Sequence, residues 1–194
     1  MARLKRSRSP FHRAQYLRIQ ALHLEESGVP ELVVPALSLL EHLVRECPER
    51  SQLSAAHHQR ALCHVDLGEL EAAIDAFRAA FVARRASPNW QNDAPLDFGE
   101  LVCSMRRVDL YAEVTAVLCE FADSPLFPVQ QYKHAAVHAV LAAARDEHEV
   151  ARAHAREALR AMNATESSSV RHRRLGLVRF VDPHLLETLR AITA

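Results

Sequence analysis

The chain has 194 residues, 49% of them apolar, with only 4 Gly and 9 Pro and with acidic and basic side chains balanced at 24 each. That composition excludes a disordered chain and a turn-rich β protein, and the balanced charge gives no whole-molecule field to draw nucleic acid or a membrane surface. No run approaches the roughly 18 uninterrupted apolar residues of a membrane span.

An abundance of Ala, Leu and Arg favours helices, because such side chains lose little freedom on entering one. The chain opens on a basic, acid-free arm, residues 1–13, with Arg3, Lys5, Arg6, Arg8 and Arg13. It lacks the apolar stretch of a secretory signal, so a cytoplasmic, bacterial setting is expected. Cys47, Cys63, Cys103 and Cys119 show no CxxC spacing and read as small buried hydrophobes in a reducing compartment. A first helix pair is predicted over Ala14 to Ser27 and Leu32 to Cys47, broken at Gly28-Val29-Pro30. Pro35 fits only if the second helix begins near Val33, where a first-turn residue needs no amide donor.

The second pair turns at Gly68 and returns along Leu70, Ala73, Ile74, Phe77, Ala80 and Phe81 at helical spacing. A third pair is predicted over Leu96 to Arg106 and Asp109 to Phe121, with a stripe of Val108, Tyr111, Val114, Val117, Leu118 and Phe121. A fourth covers Val129 to Ala144 and Glu147 to Met162. Residues 164–194 are expected to form capping helices, Val170 to Phe180 and Pro183 to Ile192, beside a basic run at Arg171, Arg173 and Arg174. The segment from Gly68 to Phe77 also matches itself at a 39-residue period, which aligns Ala73/Ala112/Ala151, Phe77/Ala116/Ala155 and Ala80/Cys119/Ala158. A period of that size predicts stacked helix pairs.

Ala61, Gly68, Ala73, Phe77, Ala80 and Pro88 together resemble the tetratricopeptide repeat, whose small residues let two helices cross closely. Its usual aromatics in the pair's first helix are replaced by His57 and His64, and its period is nearer about 34 residues. The resemblance implies an all-α, right-handed superhelical stack of four to five antiparallel pairs, with four of them over residues 14–163. It also implies a ligand groove on the first helix of each pair. By register that groove holds Arg18, Leu22 and Glu25, then His58, Leu62, Val65 and Asp66, then Asp97, Leu101 and Met105, then Lys133, Ala136 and Val140. Trp90, in a Pro-containing loop, is a further candidate anchor.

Little in the sequence points to chemistry. His134 and His138 stand four apart, the spacing of two metal ligands on a helix, but no Glu lies between them and no third ligand follows. No phosphate loop or nucleophile motif occurs, so neither metal, cofactor nor catalysis is expected. The expected function is binding of a protein or peptide partner, as adaptor, dedicated chaperone or toxin-immunity protein. The alternative is a nucleic-acid-associated regulator using the basic ends, and an enzyme built from separate helices comes third.

Overall fold

The computed structural model describes residues 9–167 and 173–194. The described residues are helical and turn, with nine α-helices and no strand among them. The all-α expectation therefore holds. The chain forms two compact units, Met1–Ala94 and Pro95–Ala194.

In the first unit α1 (Pro10–Glu25) and α2 (Val33–Glu46) form one pair, and α3 (Arg50–Asp66) and α4 (Leu70–Ala86) the next. Pro10 opens α1 at a first-turn position where its missing amide costs nothing. The last four residues of the predicted arm, Pro10 to Arg13, are thus helix; Arg3, Lys5, Arg6 and Arg8 lie outside the described residues. Pro35 falls in the first turn of α2, as it must. The core of this unit gathers Ala14, Leu17 and Ala21 of α1, Val33, Ala36, Leu40 and Leu43 of α2, and Ala56 and Cys63 of α3. Helix α3 packs against both α1 and α2. The loop after α4 is pinned: Asn92 donates to the Ser54 hydroxyl at 2.8 Å, and Arg84 donates to the Asn92 carbonyl at 3.2 Å.

The second unit holds α5 (Ala94–Ser104), α6 (Tyr111–Glu120), α7 (Pro128–Ala143), α8 (His148–Met162) and α9 (Pro183–Thr193). Gly99 of α5 permits a close approach, since a Cβ there would meet the Val137 methyls of α7 at 3.0 Å and Val114 of α6 at 3.3 Å. Helix α9 packs on both α7 and α8 and buries Leu185 and Leu189. Its start is fixed by Asp182, whose carboxylate accepts the Leu185 amide at 2.8 Å, with Pro183 in the first turn.

The turns between paired helices repeat one device. Gly28, Gly68, Arg106 and Asp146 all adopt left-handed backbone, recurring every 38 to 40 residues. At the last three of these, the next residue's amide reaches back to the helix: Glu69 to His64, Arg107 to Val102 and Glu147 to Ala142, at 2.8 to 3.0 Å. That is the six-to-one bond by which a left-handed residue closes a helix.

The 39-residue self-match misplaces the middle unit. Ala73, Phe77 and Ala80 are buried in α4 and Ala151, Ala155 and Ala158 in α8, but Ala112, Ala116 and Cys119 are exposed. Leu110, Val114 and Val117 fill those places, two residues earlier. The left-handed residue there is Arg106, one before the aligned position, and Val108–Leu110 enters α6 as a 3-10 turn. Such a turn rotates the chain further per residue than an α-helix, by about 60° over three residues. Of the sequence-predicted stripe, Val114, Val117 and Leu118 are buried and Val108 is exposed. Among the cysteines only Cys63 and Cys103 are buried; Cys47 is half-buried and Cys119 exposed.

Among the described residues the predicted capping pair shows a single helix, α9. Arg173 to Gly176 is turn and residues 177–180 are irregular chain, while Val170, Arg171 and His172 lie outside the described residues. Gly176, left-handed at φ +68°, sits against the Phe127 ring, and its carbonyl accepts the Val129 amide at 2.8 Å. A tertiary contact, invisible to helical periodicity, ties this turn to the start of α7.

Candidate functional site

The first helices of successive pairs run the same way in each unit. In the first, the Arg18 guanidinium donates to Gln52 Oε1 at 2.9 Å near the start of α3, and residues at the far ends of α1 and α3 share a cleft. In the second, Lys133 of α7 binds Asp97 and Glu100 of α5, and Val137 lies over Gly99. The predicted groove residues thus lie on neighbouring helices, but many are already engaged.

Lys133 donates to Asp97 and, at 2.9 Å, to Glu100, with the three side chains only 23%, 10% and 18% exposed. Burial opposes the lysine charge, but the two carboxylates outweigh it and hold its pKa above the ordinary value. Burial also raises the Glu100 pKa, against the pull of Lys133. The Tyr132 hydroxyl is buried beside this group, and burial with the nearby Glu100 and Asp182 charges raises its pKa. Asp97 and Lys133 therefore serve as an internal tie between α5 and α7. Ala136 and Val140 are buried, so the expectation that they face a ligand is wrong; α7 is enclosed by α8 and α9. Leu101 is half-buried and Met105 exposed.

In the first unit His58 packs on Phe77 with ring centroids 6.0 Å apart, and Trp90, 48% exposed, lies 6.3 Å from the Phe11 ring of α1. His64 Nδ1 is 2.7 Å from Glu69 Oε2, joining the end of α3 to the start of α4. His57 accepts from Arg60 at Nδ1, 3.1 Å away, and burial followed by that cation pushes its pKa down to about 4. Leu22, Leu62 and Val65 are half-buried, and Asp66 is exposed.

Asp66 and Glu25 meet in a cleft of about 500 Å³, completed by Glu26, Gly28, Val29, Pro30, Val33 and Leu67. The helix ends carry the carboxylates, and the turn from α1 to α2 supplies the apolar wall. Burial raises the Asp66 pKa. Beneath it, burial and then the Glu25 and Asp66 charges push the Cys63 thiol up to about 12, which keeps it an unreactive thiol. Glu26, Val29 and Pro30 were not foreseen, because the groove was sought on helices and these belong to a turn.

The structure adds a third ring to the predicted histidine pair. His134 and His138 lie 4.4 Å apart by ring centroid, and His154 of α8 lies 5.4 Å from His138. Among the described residues no group of three or more His, Cys, Asp or Glu has the arrangement of a metal site. No helix of the described residues is long and apolar enough to cross a membrane. Comparison with protein-family models, with curated proteins and with solved structures finds no match for this chain.

Proposed function

We propose that this chain is a non-catalytic binding module that holds a protein partner on the first helices of its pairs, in the manner of tetratricopeptide-like arrays. The observation that carries this reading is the cleft at the ends of α1 and α3, where an apolar wall meets carboxylates on two neighbouring first helices. Concave sites with an apolar lining and a few polar groups are where ligands bind. Support also comes from the ion group of Lys133, Asp97 and Glu100, which joins helices as a scaffold requires. An adaptor, a dedicated chaperone and an immunity protein all share this binding role.

The tagged full chain, recovered from an extract of its own source, should retain a companion in a 1:1 ratio. Leu22→Glu on α1 or Met105→Glu at the end of α5 should lower recovery at least tenfold, while helicity and thermal midpoint stay near those of the parent. Absence of a stoichiometric companion, or a companion indifferent to both changes, overturns the reading.

A further inference from the structure

Two loops of the second unit carry the most exposed large apolar side chains of the described residues. Phe180 is 79% exposed and Leu126 66%, with Leu175 at 52%. The approach of Gly176 to the Phe127 ring joins the loops, so that Leu126 and Leu175 each stand one residue from that contact. Phe180 follows four residues after Gly176. Single exposed apolar residues are ordinary on a protein surface, whereas a group of them on adjoining loops marks a place of interaction.

Both loops are tied down. Gln130 Oε1 accepts the Leu126 and Phe127 amides at 2.9 and 3.2 Å, and the Gly176 carbonyl accepts the Val129 amide. The Ser167 amide donates to the Arg173 carbonyl at 2.7 Å, Arg173 donates to Glu166 at 3.1 Å, and the Asp182 cap fixes the far end at α9. The apolar side chains are thus displayed by an anchored backbone. Beside them Arg174 and Arg179 are exposed, and neither makes a hydrogen bond or ion pair among the described residues. The acids nearest in sequence are engaged, Glu166 with Arg173 and Asp182 with the Leu185 amide. The chain as a whole is neutral, but this surface combines apolar side chains with unbalanced cations.

That combination selects among occupants. A nucleic acid would engage the two arginines and leave Leu126 and Leu175 in water. A protein would need a separate socket for each of three side chains on two loops. A fluid anionic bilayer needs no shape match: the acyl boundary takes the apolar tips and lipid phosphates take the guanidiniums. Firm binding to a bilayer surface also takes two signals, and an apolar and a basic one are both present here. We propose that the loops at Leu126 and at residues 174–180 form a docking surface for anionic phospholipid membranes. Leu126, Leu175 and Phe180 enter the boundary between headgroups and acyl chains, while Arg174 and Arg179 bind phosphate. Residues 177–180 are irregular chain, whose backbone polar groups must stay with water or headgroups, so side chains enter and the backbone remains outside. This surface lies in the second unit and does not depend on the protein-binding reading.

The test is co-sedimentation of the full chain with vesicles of phosphatidylcholine containing about a third phosphatidylglycerol. Binding should fall at least tenfold on pure phosphatidylcholine, and equally for the double variants Leu175→Ser/Phe180→Ser and Arg174→Gln/Arg179→Gln. Val82→Ser, which removes an apolar side chain 63% exposed on the first unit, should bind as the parent does. All these side chains are exposed, so helicity and thermal midpoint should stay at parent values. In Phe180→Trp, emission beyond that of Trp90 should shift to the blue on addition of vesicles and be quenched by lipids brominated at the headgroup end of the acyl chain. No binding to anionic vesicles, equal binding to neutral ones, or parent-like binding by either double variant overturns the proposal. So does unchanged Phe180→Trp emission on a chain that sediments, since another surface would then be touching the lipid. If vesicles are not bound and Leu175→Ser/Phe180→Ser loses the protein companion of the parent, the surface is a protein contact: the membrane proposal falls and the protein-binding reading stands.

Discussion

At the residue scale the four left-handed turn positions separate conformational demand from the residue that meets it. Gly28 and Gly68 satisfy it freely, with no heavy atom within 4 Å of where a Cβ would stand. Arg106 and Asp146 satisfy it at φ 52° and 58° with a Cβ in place. Left-handed backbone costs an L-residue roughly 1–2 kcal/mol, less for Asp, whose short side chain tolerates it. Arg106→Gly should therefore raise stability by about 1 kcal/mol and Asp146→Gly by less, an ordering measurable by urea denaturation. A loss of stability at either site would mean that its side chain supports the turn by contacts that outweigh the strain. The same positions explain the limits of sequence reading here: glycine announces such a turn, whereas an arginine in the same conformation looks like any other surface residue.

At the element scale, helix positions were legible because Pro, Gly and apolar spacing mark them locally. Pro10, Pro128 and Pro183 each stand in a first turn, and Gly28 and Gly68 follow a helix end. Rotation about a helix axis was less legible, since the 3-10 entry to α6 turned Ala112 and Cys119 outward while the self-match assigned them to the core. Which helices pair was legible from the turns between them, but individual side-chain contacts across elements were not. Of the histidine row, the pair on α7 was visible as a four-residue spacing, but the arrival of His154 from α8 depends on how the two helices cross. That row makes a pH prediction. Burial, then the His154 charge, lowers the His134 pKa, and burial, then His134, His154 and Arg145, lowers that of His138 to about 4; Glu157 opposes both. The folded chain therefore binds fewer protons here than the unfolded chain, whose histidines titrate near about 6.5. Stability from these groups is complete above that value and is lost as pH falls toward about 4. His138→Gln should flatten the fall in unfolding free energy between pH 7 and pH 4.5 by on the order of 1 kcal/mol, a figure discounted for partial exposure. An unchanged slope in that variant would assign the acid sensitivity to other groups, His57 first among them.

At the scale of the molecule, the two units raise the question of how far each stands on its own interactions. The first closes a core from α1 to α3, and the ion group of Lys133, Asp97 and Glu100 belongs wholly to the second. Removing the lysine charge takes from two carboxylates with little exposure the cation they share, a defect that costs about 3 kcal/mol when such a pair is buried. Lys133→Met should thus speed amide hydrogen exchange in α7 and α8 by about a hundredfold, the equivalent of that energy. Adding Asp97→Asn and Glu100→Gln to the same chain should recover most of the loss, because the penalty comes from unpaired charge and not from the lost lysine stem. The informative comparison is with α3 and α4. If the units unfold as separate cooperative bodies, exchange there stays at the parent rate while α7 and α8 open. If the array behaves as a nearest-neighbour stack, α4 quickens measurably and α1 least. Uniform acceleration from α1 to α8 would show a single cooperative body and remove the premise that each unit is stabilised from within.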